Sequence, residues 1–242
     1  MATKINADGL YYKELNELVR KTADSDVIIE NTLGQRYIGG GASDKNIDIY
    51  GIPGNALGAY LNNCKITVHG NAQDATGDTM NSGEIIVHGS CGDACGYGMR
   101  DGKIFIRDCA GYRAGIHMKE YQTHVPMITI GGKVGDFLGE YLAGGRLIVL
   151  GIGCEDECPV GSFCGTGMHG GAIYIRSEHK PAGLPVQVCC SDATAEDMDA
   201  IRSDVEEFAG YFGLNAEEIM SAHFFKLTPN SQSPYKQLYV NN

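Results

Sequence analysis

The sequence predicts an all-β chain wound as a single-stranded parallel β-solenoid of about eight rungs, with short helical segments at both ends. Three observations predict it. Short apolar strands recur at near-constant spacing, each strand has aliphatic residues at its first and third places, and glycine returns at a fixed distance after the strand starts.

The strands begin with "VIIEN" from Val27 and continue with "IDIYG" from Ile47, "ITVHG" from Ile66, "IIVHG" from Ile85 and "IFIRD" from Ile104. "ITIGG" from Ile128, "LIVLG" from Leu147 and "IYIRS" from Ile173 complete the series. Successive starts lie 20, 19, 19, 19, 24, 19 and 26 residues apart. Pairs such as Ile47 with Ile49 and Ile66 with Val68 repeat with the period of two that marks a strand with one buried face. Eleven residues beyond the strand starts stand Gly58, Gly77, Gly96, Gly115 and Gly139; Gly39 joins the row after one extra residue, and Gly165 after an insertion. Gly54, Gly92, Gly111, Gly135 and Gly161 form a second row four residues earlier. Glycine at one phase of a repeat means a positive φ or a close approach of stacked backbones, so both rows read as corners. Leucine-rich repeats have a similar period, but their leucine and asparagine ladders are missing.

The ends of such a stack need covers. "YYKELNELVRKTA", residues 11–23, places Leu15, Leu18 and Val19 at helical spacing and reads as an N-terminal capping helix. Near the other end Met198, Ile201, Val205, Phe208 and Phe212 mark a longer helix, with Thr194 and Asp197 as its N-terminal cap pair and Gly213 as its stop. A short helix "AEEIM" and an extended tail "FFKLTPNSQSPYKQLYV" follow. The expected organisation is a capping helix in residues 1–26, the repeat domain in 27–178 and a helical tail in 179–242. Between the aliphatic positions, the outward row runs Asp48, Thr67, Ile86, Phe105, Thr129, Ile148, Tyr174. Its large apolar members need covering by a terminal helix or by another protein.

Composition narrows the function. Thirty-four glycines in 242 residues are about double ordinary usage, with no collagen period. A net charge of -11 argues against nucleic acid and against an anionic membrane surface, since both need a basic footprint. The start "MATKINADGL" does not resemble a signal peptide and no run of apolar residues is long enough to span a bilayer, so the expected location is the cytoplasm. Nine cysteines, an odd number, then read as reduced thiols.

The stretch "GTGMHGGAIYIRS" contains G-x-G-x-x-G in Gly165, Gly167 and Gly170, but a strand follows the glycines where a dinucleotide fingerprint needs a helix. Cys154, Cys158 and Cys164 share the longest insertion at spacings that match no standard four-cysteine ligand set. Cys91 and Cys95 align with alanine and threonine on neighbouring repeats and read as core packing. His69 and His88 occupy one outward position on consecutive strands and read as a surface ladder in preference to a ligand pair. His169, between the glycines of the last repeat, is the first choice for a functional histidine. No nucleophile elbow, zinc-protease motif or P-loop occurs, and no constellation reads as an active site.

"GNAQDATGDTMNSGEIIVHG", "GYRAGIHMKEY", "GGKVGDFLGEYLAGG" and "GTGMHGGAIYIR" resemble the GXGXG domain that closes the large subunit of glutamate synthase, in the form of a stand-alone subunit. A related domain forms one of the subunits of formylmethanofuran dehydrogenase. The likeness covers roughly residues 27–177. It implies a right-handed parallel β-helix with no catalytic, cofactor-binding or metal-binding residue of its own, the row from Gly39 to Gly165 being structural. It further implies a non-catalytic assembly subunit of a glutamate synthase-like oxidoreductase, which makes glutamate from glutamine and 2-oxoglutarate. The partners would be a glutaminase-type amidotransferase subunit and an FMN-binding synthase subunit. FMN, an iron-sulfur cluster and a reduced electron donor would belong to those partners, and self-association is a further possibility. The chain begins Met1, Ala2, without the N-terminal cysteine of the glutaminase, and has no strand-helix repeat for a flavin barrel. The alternatives are the equivalent structural role in a formylmethanofuran dehydrogenase-type complex and an independent enzyme using a groove along the repeats.

Overall fold

A computed structural model describes residues 2–230. Its strands are β1 (Thr3–Asn6), β2 (Asp26–Leu33), β3 (Asn46–Ile52), β4 (Cys64–Val68), β5 (Gly83–Val87), β6 (Lys103–Ile106), β7 (Met127–Ile130), β8 (Ala143–Val149), β9 (Gly170–Arg176), β10 (Val188–Asp192) and β11 (Phe224–Pro229). The helices are α1 (Tyr12–Lys21), α2 (Ala195–Phe212) and α3 (Ala216–Met220). All strands join one eleven-stranded sheet in the order β1 through β9, then β11, then β10. Strands β1 to β9 pair in parallel, whereas β11 runs antiparallel to both β9 and β10. The register is that of the sequence columns: Ile47 pairs with Ile66, Ile66 with Ile85, Ile85 with Ile104, Ile104 with Ile128, Ile128 with Leu147 and Leu147 with Ile173.

This corrects the expected fold class. The chain is an open, mostly parallel sheet of mixed, α/β-like class, and the all-β right-handed parallel β-helix is set aside. The physical reason lies in the connections, which are neither strands nor corners between strands. In seven consecutive repeats the row glycine, the residue two before it and the residue two after it all take positive φ, as in Ala56 (61°), Gly58 (64°) and Tyr60 (56°). Ala56 and Tyr60 donate their N–H groups forward, to the carbonyls of Asp74 (2.9 Å) and Asp78 (2.9 Å), and Gly58 donates back to that of Ile38 (2.8 Å). The connections therefore satisfy their backbone as a ladder of turns, adding only isolated bridges such as Ala72 to Cys91 and Cys91 to Ala110. An antiparallel end and a helix on the outer face complete the departure from an all-β coil.

The main core lies between the inner sheet face and these returning connections. Leu57, Cys95 and Leu138 precede the row glycines, Leu61, Met80, Met99 and Met118 follow three residues after them, and all pack against the strand isoleucines. Helix α1 closes the first repeat with Leu15 and Val19 buried, while Leu18 faces water. Its Asn16 donates from Nδ2 to the carbonyl of Arg36 at 2.8 Å.

Helix α2 covers the outer face. Ile201, Val205 and Phe208 pack on Ile86, Phe105, Ile148 and Tyr174, so the apolar outward row is covered by this chain itself. The helix begins at Thr194, whose hydroxyl accepts from the N–H of Asp197, and stops at Gly213 with φ 68°. Charged groups anchor it as well. Buried Asp204 accepts from Arg146 (Nη2, 2.8 Å) and lies 3.5 Å from the Lys103 ammonium, which also holds Glu207 at 2.6 Å. Tyr211 donates its hydroxyl to Glu84 at 2.8 Å. Of the extended tail expected from the sequence, Phe224–Pro229 is strand β11; residues 231–242 lie outside the described residues.

Candidate functional site

The row glycines Gly39, Gly58, Gly77, Gly96, Gly115, Gly139 and Gly165 all have φ between 64° and 72°. A Cβ at Gly58 would come within 2.7 Å of Ile85 Cδ1, so this row admits the isoleucine ladder of the following strands. The second row has another cause. At Gly135, φ is ordinary and a Cβ would press on the backbone of Gly111 at 3.0 Å.

The positions flanking each row glycine differ in occupant. In the middle repeats they are Ala75, Thr79, Ala94 and Gly98; in the outer repeats Gly41, Ala56 and Gly167 share them with Tyr37, Tyr60, Arg113, His117, Phe137, Tyr141 and Phe163, all at positive φ. Such residues disfavour the left-handed region by about 1–2 kcal/mol each. Their side chains stack into columns along the surface. The Arg113 guanidinium lies 5.0 Å from the Phe137 ring centroid, and Phe137 stacks on Phe163 at 5.0 Å. Beside them Tyr97 meets His117 edge-on at 5.8 Å and His117 stacks on Tyr141 at 5.1 Å. Tyr37, Tyr60 and Phe163 keep about half their surface in water. At the other end Tyr37 and Tyr60 face Tyr12 of α1 across a cleft of about 710 Å³.

His69 and His88 stand together as the register requires, their rings stacked at 5.5 Å. Tyr50 extends the stack below at 4.3 Å, and Phe212 of α2 closes it edge-on at 5.2 Å. Asp48 lies 2.8 Å from His69 Nε2. Burial, followed by the positive charges of His69 and Arg107, holds the His88 pKa below its ordinary value. This is a packed column ending under a helix. The N–H of His169 donates to the carbonyl of Leu142 at 2.8 Å, and its ring Nδ1 lies 3.2 Å from the carbonyl of Gly167.

Cys154, Cys158 and Cys164 do not converge on one point. Cys164 is buried in the core, Cys158 packs at its margin beside Cys190, and Cys154 lies in the loop near Lys133 and Cys109. Burial raises the pKa of all three thiols, most strongly that of Cys164, which disfavours the thiolate a metal needs. Among the described residues no group of three His, Cys, Asp or Glu side chains is arranged to hold a metal ion, and no helix is long and apolar enough to cross a membrane.

Parallel repeats locked by a ladder of left-handed residues, with glycine at its centre, define a class of repeat protein whose surface variation is confined to fixed phases. The chain belongs to the GXGXG family, whose model, described as "GXGXG motif", matches residues 19–230. An uncharacterized protein of Methanocaldococcus jannaschii is 43% identical over 249 residues, covering 98% of this chain and 95% of the relative. Among solved structures, the fold is similar to a chain of the formyltransferase/hydrolase complex from Methylorubrum extorquens in complex with methylofuran. That likeness has a TM-score of 0.64 at 18% identity and covers 91% of this chain and 88% of the other. It is a likeness of fold.

Proposed function

We propose that this chain is a structural, assembly-forming member of a multi-protein enzyme complex, in which the exposed columns of the turn ladder seat partner subunits. The observation that carries the reading is the placement of Arg113, His117, Phe137, Tyr141 and Phe163 at strained positive-φ positions that other repeats fill with alanine or glycine. Large side chains at positions disfavoured by about 1–2 kcal/mol each, stacked in water and outside both cores, are suited to contact another molecule. Family membership and a fold neighbour that comes from an enzyme complex support the same reading.

Two assemblies fit this role. In the first, the chain orients a glutaminase against an FMN and iron-sulfur synthase, with the cofactors on those partners, as the glycine motifs imply. In the second, it serves a formyl-handling complex of the formylmethanofuran dehydrogenase type as its structural member, and the fold neighbour favours this one. Native mass spectrometry of the endogenous complex, with a visible absorption spectrum, separates them: flavin and cluster bands mark the first, a formyl-transferring or pterin-containing partner the second. Phe137→Ser with Phe163→Ser is expected to release the partners while leaving the fold intact. Recovery of the native chain without any partner would overturn the proposal.

A further inference from the structure

The step from β6 to β7 takes 24 residues where its neighbours take 19. The added length forms a tight hairpin. The N–H of Tyr121 donates to the carbonyl of His124 and that of His124 to the carbonyl of Tyr121, both at 3.0 Å, with Gln122 at φ 56° between them. The hairpin is pinned on both sides: His124 Nδ1 lies 2.7 Å from Asp101 Oδ2 on the preceding repeat, and Glu120 Oε2 accepts from the N–H of Gly145 on the following strand at 2.9 Å.

Beside the hairpin, Arg100 and Lys119 hold the same position on consecutive repeats, four residues after Gly96 and Gly115. Their N–H groups donate to the carbonyls of Met80 (2.9 Å) and Met99 (3.1 Å), and Asn81 occupies the equivalent place one repeat earlier. These residues with Asp101, Tyr121 and His124 line a cleft of about 370 Å³. The acid that lines it, Asp101, is already engaged with His124, and Glu120 of the hairpin beside it accepts from backbone. Arg100 uses Nε on the carbonyl of Gly98 at 3.0 Å. Its terminal nitrogens and the Lys119 ammonium have no carboxylate partner among the described residues. Stacked repeats bring their backbones to about 4.8 Å, so two like charges share one wall of a cleft in a chain of net charge -11. An oxyanion between them would turn that repulsion into two charge-assisted contacts.

We propose that this cleft binds a small molecule through a phosphate or carboxylate group held between Arg100 and Lys119, with the Asn81 amide as a further donor and the Tyr121 ring as a flat wall. The ligand belongs to this chain, and its binding does not depend on any partner subunit. Calorimetric titration of the full chain with inorganic pyrophosphate, and separately with succinate, at low ionic strength tests it. Saturable binding of at least one probe at one site per chain is expected, and the probe that binds identifies the oxyanion class. Arg100→Gln and Lys119→Gln should each weaken it about tenfold or more, and the double variant should abolish it. Lys180→Gln, an exposed cation elsewhere, should leave it unchanged. Melting temperatures of the cleft variants should be unchanged or raised, because a like-charge pair is removed. The proposal is overturned if neither probe binds saturably below about 10 mM, if binding survives the double variant, or if Lys180→Gln weakens it equally.

Discussion

Gly58→Ala tests why the glycine row exists. Two costs are separable here because the protein contains a natural control. Gly98 has nearly the same φ as Gly58 (58° against 64°), but a Cβ at Gly98 would meet only Thr79 Oγ1 at 3.7 Å, an ordinary contact. For Gly98→Ala the left-handed penalty of about 1–2 kcal/mol is partly offset by about 0.4–1 kcal/mol of lost freedom in the unfolded chain, leaving a cost of about 0.5–1 kcal/mol. Gly58→Ala carries that same cost and also drives a methyl to 2.7 Å from Ile85 Cδ1. Overpacking of this kind adds about 1–3 kcal/mol, for a total of about 2–4 kcal/mol. Ile85→Val removes the offending atom and by itself costs about 0.5–1.5 kcal/mol. The next contacts, Ile66 Cδ1 at 3.4 Å and Ile85 Cγ1 at 3.6 Å, are tolerable. Combined with Ile85→Val, Gly58→Ala should therefore cost about 1–2 kcal/mol less than it does alone, read as the coupling in a double-mutant cycle by urea denaturation. Equal costs for Gly58→Ala and Gly98→Ala, or zero coupling to Ile85→Val, would refute the steric argument and leave backbone conformation as the sole reason for glycine.

Asp204→Ala should cost about 2–3 kcal/mol by urea denaturation, below the 3–5 typical of a broken buried pair, because the Arg146 and Lys103 side chains keep 30% and 31% of their surface in water. Limited proteolysis of this variant should then cut α2 first. His88, held below its ordinary pKa of 6.5 by burial and neighbouring positive charge, leaves the unfolded chain to take up its proton first. Its contribution is thus intact above about pH 6.5 and is lost as pH falls from there through the folded pKa. His88→Gln should flatten the acid side of a plot of melting temperature against pH. His223 acts in the opposite sense. Its pKa is raised by the Ser177 carbonyl and by Asp192, so its contribution is full below about 6.5 and fades as pH rises through the folded value; His223→Gln should remove that fading. In native alkylation followed by mass spectrometry, Cys109 and Cys189 should label first, while Cys91, Cys95 and Cys164, all buried, should label only after denaturation.

The strand columns were legible in the sequence because each rests on a short-range rule, the alternation of aliphatic residues, repeated at a fixed interval. The limits of α2 were legible for a similar reason: Thr194, Asp197 and Gly213 are local capping signals. The fold class was not. A sequence with strands and glycines at these phases reads the same whether its connections are straight segments meeting at corners or a ladder of left-handed turns. The residues that reveal the ladder, among them Tyr37, Arg113 and Phe137, have no intrinsic preference for positive φ. Hydrogen bonds to neighbouring repeats impose it, and those are tertiary. Strands β1 and β10 were missed because "TKIN" and "VCCSD" are short and polar, and pairing alone makes them strands. For the site, the adjacency of His69 and His88 followed from register, but the Phe212 ring that closes their stack comes from more than a hundred residues along the chain. The cleft by Arg100 and Lys119 left one visible trace, the 24-residue step, whose meaning depended on where the added residues folded.

The same ladder explains how one scaffold can combine a uniform interior with an uneven surface. At the flanking positions of every repeat but the last the backbone is fixed by an N–H bond to the next repeat, as Arg113 donates to Asp136 (2.9 Å) and Phe137 to Ser162 (2.9 Å). The conformation therefore survives whatever side chain is attached. Alanine, glycine and threonine fill these places in the middle repeats, so the fold does not require an aromatic there. An aromatic pair contributes about 0.5–1.5 kcal/mol, less than the about 2–4 kcal/mol that two left-handed residues cost at about 1–2 kcal/mol each. For folding, then, the Phe137 and Phe163 column is a net cost, which suits a role in contact with another molecule. The inward row glycines have no such latitude, because core side chains, isoleucine at most of them, Leu147 at Gly115 and Met168 at Gly165, occupy the space that a Cβ would need.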